Sequence, residues 1–342
     1  MKIKEIKKLF FSQTLSYLDV YLLQQIGRSM ETIDSYKDAL TVFKQYVIDE
    51  LHASVLTFYF KDCTRDCIFN FLNFLKVRGN QPGTRNQRLA TIKSYLKYVS
   101  QIDVSLLSVY IEVKSIPACK NPEKEKKVLP ELALNAIFAE PKNNKMGLRD
   151  RTLMIMLYDT GTRISELLNL KLPDIYLKKS DSYILVTGKG SKERPLYLSG
   201  KTVEHLKLYI SVFHNNDEAS EQYLFYTVIK GKTDRMSVGN AERLIKQYAK
   251  TAKQKCPEVP DNVHPHDFRR TLATNLYQEG TSLALISSVL GHCNIETTRI
   301  YAKPSKNMLK NAITSTQPAF DGPMGKKWKN QEMDLKRFTG LR

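Results

Sequence analysis

Between residues 113 and 129 the chain abandons every regular pattern. The stretch "KSIPACKNPEKEKKVLP" sets Pro117, Pro122 and Pro130 around a run of Lys and Glu. Proline removes a backbone donor and fixes φ, so a helix or a sheet ladder cannot run through it. The charged core of this run has no apolar side chain to bury. A linker is therefore expected over 113–129, with one separately packed body on each side. A chain of 342 residues is long enough for both.

Residues 12–110 read as helices. "METIDSYKDALTVFKQYVIDEL" places Ile33, Leu40, Val42, Phe43 and Val47 at broadly helical intervals, with Thr32 or Asp34 as the start signal. "RDCIFNFLNFLKVRG" repeats the pattern and stops at Gly79. "NQPGTRNQRLATIKSYLKYVS" opens with a Pro-Gly turn and a Thr84 cap before another helix. Beyond the linker, "RDRTLMIMLYDTGTRISELLNLKLPDI" gives two helices hinged at Gly161. "DSYILVTGKGSKERPLYLS" gives a β-hairpin with strands near 182–187 and 194–198. More helices follow, then a tail after about Pro304. The expected fold is mainly α with a small antiparallel β-sheet.

Charge narrows the partner. Lys and Arg number 53 against 35 Asp and Glu, a net charge of +18, and such a field favours polyanions. No window offers the roughly 18 apolar residues of a membrane span. The start, "MKIKEIKKLFFSQTLSYLDV", meets Ser, Gln, Thr and Asp too early for the apolar region of a signal peptide. Nucleic acid is thus expected rather than a membrane. The candidate docking face is Lys76, Arg78, Arg85, Arg88, Lys93 and Lys97, six basic residues with no acid among them and with Thr84, Asn86 and Gln87 interleaved. Contact with a DNA backbone is weighed there against an ordinary solvated face. The five cysteines, Cys63, Cys67, Cys119, Cys256 and Cys293, are odd in number and lack a secretion signal, which points to a reducing cytoplasm. Cys63 and Cys67 could share a helix turn, but no second Cys/His pair follows at zinc spacing. Packing is expected of them, and neither metal nor cofactor.

The candidate chemical residues are ambiguous one at a time. Arg163 in "TGTRISELL" could simply pair with Glu166. Lys189 in "TGKGSKERP" sits at a hairpin tip, where lysines are commonly inert. His266 in "VHPHDFRRTLATNL" could cap a helix, and His292 follows Gly291, which looks like a helix C-cap. Tyr301 is one of 18 tyrosines.

Their order is more specific than any of them. An arginine in a G-x-R-x-S-E-L context, a lysine at a hairpin tip, H-x-x-R, then L-G-H and a tyrosine nine residues later follow one another along the chain. This set resembles the tyrosine recombinases, also called phage integrases, over most of the chain's length. The resemblance implies a helical core-binding (DNA-binding) domain over 1–112, the linker at 113–129, a catalytic domain over 130–304, and a C-terminal tail at 305–342 that could pass between protomers. It implies that Arg163 and Arg269 clamp the scissile phosphate, where forked, permanent cations meet growing negative charge. By the same analogy Tyr301 attacks phosphorus to form a 3′-phosphotyrosyl link. Lys189 would protonate the leaving 5′-oxygen, His266 act as base or proton partner, His292 donate to the phosphate, and Glu166 orient Arg163.

The expected function is site-specific recombination of double-stranded DNA by four copies on paired sites, through a Holliday junction, in the cytoplasm at the nucleoid. Accessory partners are not specified. Two other readings are a type IB topoisomerase, which shares the chemistry without pairing sites, and a DNA-binding protein that has lost cleavage. Two features depart from the family pattern. Arg270 stands where a His is usual, and some 40 residues follow Tyr301. Arg270 is expected to meet the DNA backbone or a neighbouring carboxylate.

Overall fold

The computed structural model describes residues 6–121, 128–178, 181–188, 192–214, 221–291, 294–301, 304 and 308. Contacts divide the chain into two compact units, Met1–Glu125 and Lys126–Arg342. The fold is mainly α with small antiparallel sheets, as the sequence led us to expect.

The first unit is built from α1 (Ser16–Gln25, wound as a π-helix), α2 (Met30–Asp49), α3 (Arg65–Val77), α4 (Pro82–Ile102) and α5 (Leu107–Lys114). Its core is aromatic: Phe10, Tyr17, Phe43, Tyr46, Phe60, Phe71 and Tyr95 are all but inaccessible to solvent. Their rings meet largely edge-on or tilted, the arrangement that aromatic quadrupoles favour. Cys63 and Cys67 belong to this core. Burial holds both thiols well above the ordinary thiol range, so they are packing residues and poor nucleophiles. Two helix starts differ from the sequence expectation. α2 begins after Ser29 rather than at Thr32 or Asp34, and α4 begins at Pro82, leaving Thr84 inside it. Proline suits the first helical position because the amide it lacks would have had no partner there. α3 ends at Val77, and Gly79 turns the chain with φ +79°.

Val113 and Ile116 are packed into the first core, whereas Leu129 is packed into the second. The second unit comprises α6 (Glu131–Ala139), α7 (Lys145–Thr160), α8 (Ile164–Asn169), β1 (Ile175–Leu177), β2 (Ser182–Thr187), β3 (Glu193–Tyr197), α9 (Gly200–Phe213), β4 (Tyr226–Ile229), β5 (Lys232–Arg235), α10 (Val238–Lys255), α11 (Pro265–Gln278), α12 (Leu283–Leu290) and α13 (Glu296–Arg299). Helix α7 is the hub, packed on α9, α11 and α6, with Leu153, Met154, Met156 and Leu157 buried. Phe138 and Phe268 stack at 6.0 Å between α6 and α11.

The anticipated hairpin is β2–β3, with Ile184 opposite Leu196 and Val186 opposite Arg194. Strand β1 adds a third, antiparallel edge, and β4–β5 forms a second hairpin. Neither was expected, because strands of three and four residues are too short to display a period. Among the described residues no helix is long and apolar enough to cross a membrane.

Candidate active site

Helix α7 stops because Gly161 takes up a left-handed conformation at φ +59°, which only glycine adopts without strain. A Cβ there would also stand 2.8 Å from the Leu272 side chain. The turn delivers Arg163 to the residue preceding α8. Glu166, one turn into α8, accepts from the Arg163 backbone amide at 3.1 Å and from its guanidinium Nη1 at 2.7 Å. A single carboxylate therefore fixes both ends of the arginine while leaving its side chain 43% exposed.

Glu166 itself is buried and holds a second cation, Arg194 of β3, at 2.9 Å. Burial alone would raise the carboxyl's pKa. The Arg163 amide and the Arg194 and Arg163 guanidiniums outweigh it and hold the pKa below the usual carboxylate range. Sequence reasoning passed over Arg194. Its one signal was the period of two in "ERPLY", which puts Arg194 on the same strand face as the buried Leu196.

Helix α11 starts cleanly at Pro265, with the His264 amide donating to Asp267 at 2.8 Å. His266 and Arg269 then fall three residues apart on one helix side. Arg269 is 1% exposed. Its Nη1 donates to the Gly161 carbonyl at 2.6 Å and its Nη2 to the Leu290 carbonyl at 2.7 Å. These are carbonyls at the C-terminal ends of α7 and α12, where helix dipoles are negative. Burial first, and then Arg163, push the Arg269 pKa down to about 10, so it stays charged at neutral pH.

His266 is exposed, yet the packed site partly desolvates it, and Arg270, Arg269 and Arg163 lie close enough to repel its cation. Its pKa is lowered below 6.5, with only Asp267 opposing, and the imidazole is neutral at pH 7. Arg270 donates to Asp267 at 2.9 Å, the neighbouring carboxylate that its place in the sequence suggested.

Tyr301 follows α13 and is 3% exposed, packed with Ala273, Ile286 and Leu290. It lies within electrostatic range of Arg269. Arg163, Glu166, His266, Arg269 and Tyr301 therefore belong to one locality. Lys189 and His292 lie outside the described residues, as does the tail beyond Met308. Among the described residues no group of His, Cys, Asp and Glu side chains could hold a metal ion.

The six basic residues proposed for DNA contact have different surroundings. Lys93 donates to the Ile116 carbonyl and Arg88 to Asn80 at 2.9 Å. Arg85 is half-buried, and Arg78 lies 4.4 Å over the Phe74 ring. Lys76 and Lys97 are exposed.

Residues 127–308 match the model of the phage integrase family. The chain is 30% identical over 296 residues to a tyrosine recombinase XerC of Staphylococcus carnosus, covering 85% of this chain and 92% of that protein. It is 29% identical to a tyrosine recombinase XerC of Staphylococcus epidermidis, covering 84% and 91%. In fold it is similar to the XerH site-specific recombinase bound to its difH substrate after cleavage, with a TM-score of 0.67, 19% identity, and 91% and 94% of the two chains covered. A lambda integrase tetramer bound to a Holliday junction is also similar, with a TM-score of 0.62, 17% identity, and 85% and 76% covered.

Proposed function

Since the chain belongs to the phage integrase family, and is a tyrosine-type site-specific DNA recombinase, we propose that Tyr301 cleaves one strand within a phosphate clamp made by Arg163 and Arg269. The observation that carries this reading is the shared locality of two arginines, a neutral imidazole and a tyrosine. A phosphodiester gains negative charge as a fifth oxygen approaches, and two fixed guanidiniums match that charge without reorganising. Arg163 offers its exposed face to the phosphate while Glu166 holds it from behind. Neutral His266 can accept the tyrosine proton. The 3′-phosphotyrosyl link conserves the energy of the broken bond, and the freed 5′-hydroxyl of the partner strand reverses the step. Lys189 supplies the leaving-group proton and His292 a further phosphate donor; both assignments come from the resemblance. Tyr301 must leave its apolar cover to reach phosphorus.

The first unit grips the duplex, four copies pair two sites, and the tail passes to a neighbouring protomer. The grip of the first unit and the exchange of the tail come from the resemblance; XerH bound to difH DNA and a lambda integrase tetramer on a Holliday junction support DNA binding and assembly by four copies. The test is a nicked suicide substrate resolved on a denaturing gel. Wild type should give a covalent adduct and Tyr301→Phe none, with binding retained. An adduct in the mutant would name another nucleophile. Arg163→Ala and Arg269→Ala should each slow adduct formation by about 100- to 1000-fold, the effect of losing one preorganised donor.

A further inference from the structure

One guanidinium unused by these roles lies where three segments of the second unit meet. Arg194 donates from Nη2 to Glu166 at 2.9 Å and to the Leu290 carbonyl at 3.4 Å. Its side chain is 14% exposed. A Cβ on Gly188 would stand 3.0 Å from its Nη1, and a Cβ on Gly291 would stand 2.6 Å from its Cζ. Both glycines thus leave room for this side chain. Gly188 closes the base of the β2–β3 hairpin, its amide donating to the Lys192 carbonyl at 2.9 Å. Gly291 ends α12. Arg194 is paired with Val186 across the hairpin, so its side chain is rooted in the hairpin base. Among the described residues its Nε is buried without a hydrogen-bond partner, a cost tolerated for the contacts Nη2 makes.

We propose that Arg194 is a positioning residue, a strut that locks the hairpin base, the Glu166–Arg163 pair and the end of α12 to one another. Through it the hairpin base and the clamp arginine held by Glu166 are set as a unit. An arginine serves here because its Nη2 donates to a carboxylate and a carbonyl while the rest of the guanidinium fills the space left by two glycines. A lysine keeps the charge but lacks the planar group that fills that space. The catalytic half of this inference rests on the recombinase reading; the mechanical half does not.

The test uses full-length Arg194→Ala and Arg194→Lys. Both should bind a single DNA site as wild type does. Arg194→Ala should slow single-turnover adduct formation by about 10- to 100-fold, the loss of a charged hydrogen bond expressed as a rate. Arg194→Lys should recover part of it. Combining Arg194→Ala with Glu166→Gln should be no slower than the slower single variant, since both cut the same strut. Hydrogen exchange should quicken together at the Gly188 and Gly291 amides and stay unchanged in α4. Wild-type cleavage by Arg194→Ala, additive losses in the double variant, or unchanged exchange would each overturn the proposal. Should Arg194→Ala melt early, Arg194→Lys carries the test, and wild-type cleavage by it overturns the strut. If the wild type forms no adduct dependent on Tyr301, the recombinase reading falls while the exchange comparison still decides the strut.

Discussion

Asp267 pulls on His266 against the arginines around it. Its carboxylate favours the imidazolium, while Arg270, which it pairs at 2.9 Å, disfavours it. Desolvation and the arginines win, so the base form survives below the ordinary 6.5. Cleavage should therefore hold its rate as pH falls through 6.5 and drop only below it. The same lowered pKa gives folding stability that is present above 6.5 and lost as pH falls beneath it, because the unfolded chain binds that proton more readily. Arg270→Gln removes a repelling cation and frees Asp267, and both changes favour the imidazolium. The acid limb of the pH–rate profile should move up toward 6.5; a limb that stays put would separate His266 from the proton transfer. Gly291 gives a second test at this scale. At φ +63° an alanine is strained by about 1–2 kcal/mol, and its Cβ displaces the Arg194 guanidinium as well. Gly291→Ala should lower the melting temperature and slow cleavage together.

Helix α4 illustrates how much of an element its sequence hides. Its six-residue basic stretch with α3 looked uniform, because charge alone does not tell which side of a helix is covered. The neutral residues between decide it. Asn86 brackets Cys119, donating to its carbonyl at 2.9 Å and accepting from its amide at 2.7 Å, and Gln87 reaches Ser35 at 2.8 Å. The Asn86 pair holds the chain after α5 against α4 and brings the Ile116 carbonyl to Lys93, while the Gln87 contact ties α4 to α2. Lys93→Met should therefore cost roughly 1–2 kcal/mol of stability in a denaturant titration, by orphaning that carbonyl. It should leave the salt dependence of DNA binding unchanged. Neutralising the exposed Lys76 and Lys97 together should instead flatten the log–log salt dependence by about two units, if both meet phosphates. An unchanged slope would return that face to water. The long helices were legible because their apolar period repeats over several turns. β1, β4 and β5 were not, since pairing across the sheet rather than pattern along the strand makes them.

Across the whole molecule, the site was legible as an order of residues and not as a geometry. Arg163, His266, Arg269 and Tyr301 come from α8, α11 and the turn after α13, and nothing in their spacing announces that they meet. Arg194 was missed because a single inward arginine on a five-residue strand resembles any surface arginine. At this scale the sequence beyond Lys306 carries its own prediction. Met308, Leu309 and Ile313 form a short apolar set, followed by lysines around the sole tryptophan. Truncation after Lys306 should spare binding to one site in a gel shift and abolish cooperative assembly on paired sites. Normal plasmid recombination by the truncated chain would leave the tail without a role. The last consequence concerns Arg269, seated between the carbonyl ends of α7 and α12. Those carbonyl ends offset part of what burial costs the cation, which keeps its charge at neutral pH before any DNA arrives. Substrate can come and go without the helices having to be rebuilt, which allows the same clamp to serve cleavage and, in reverse, religation.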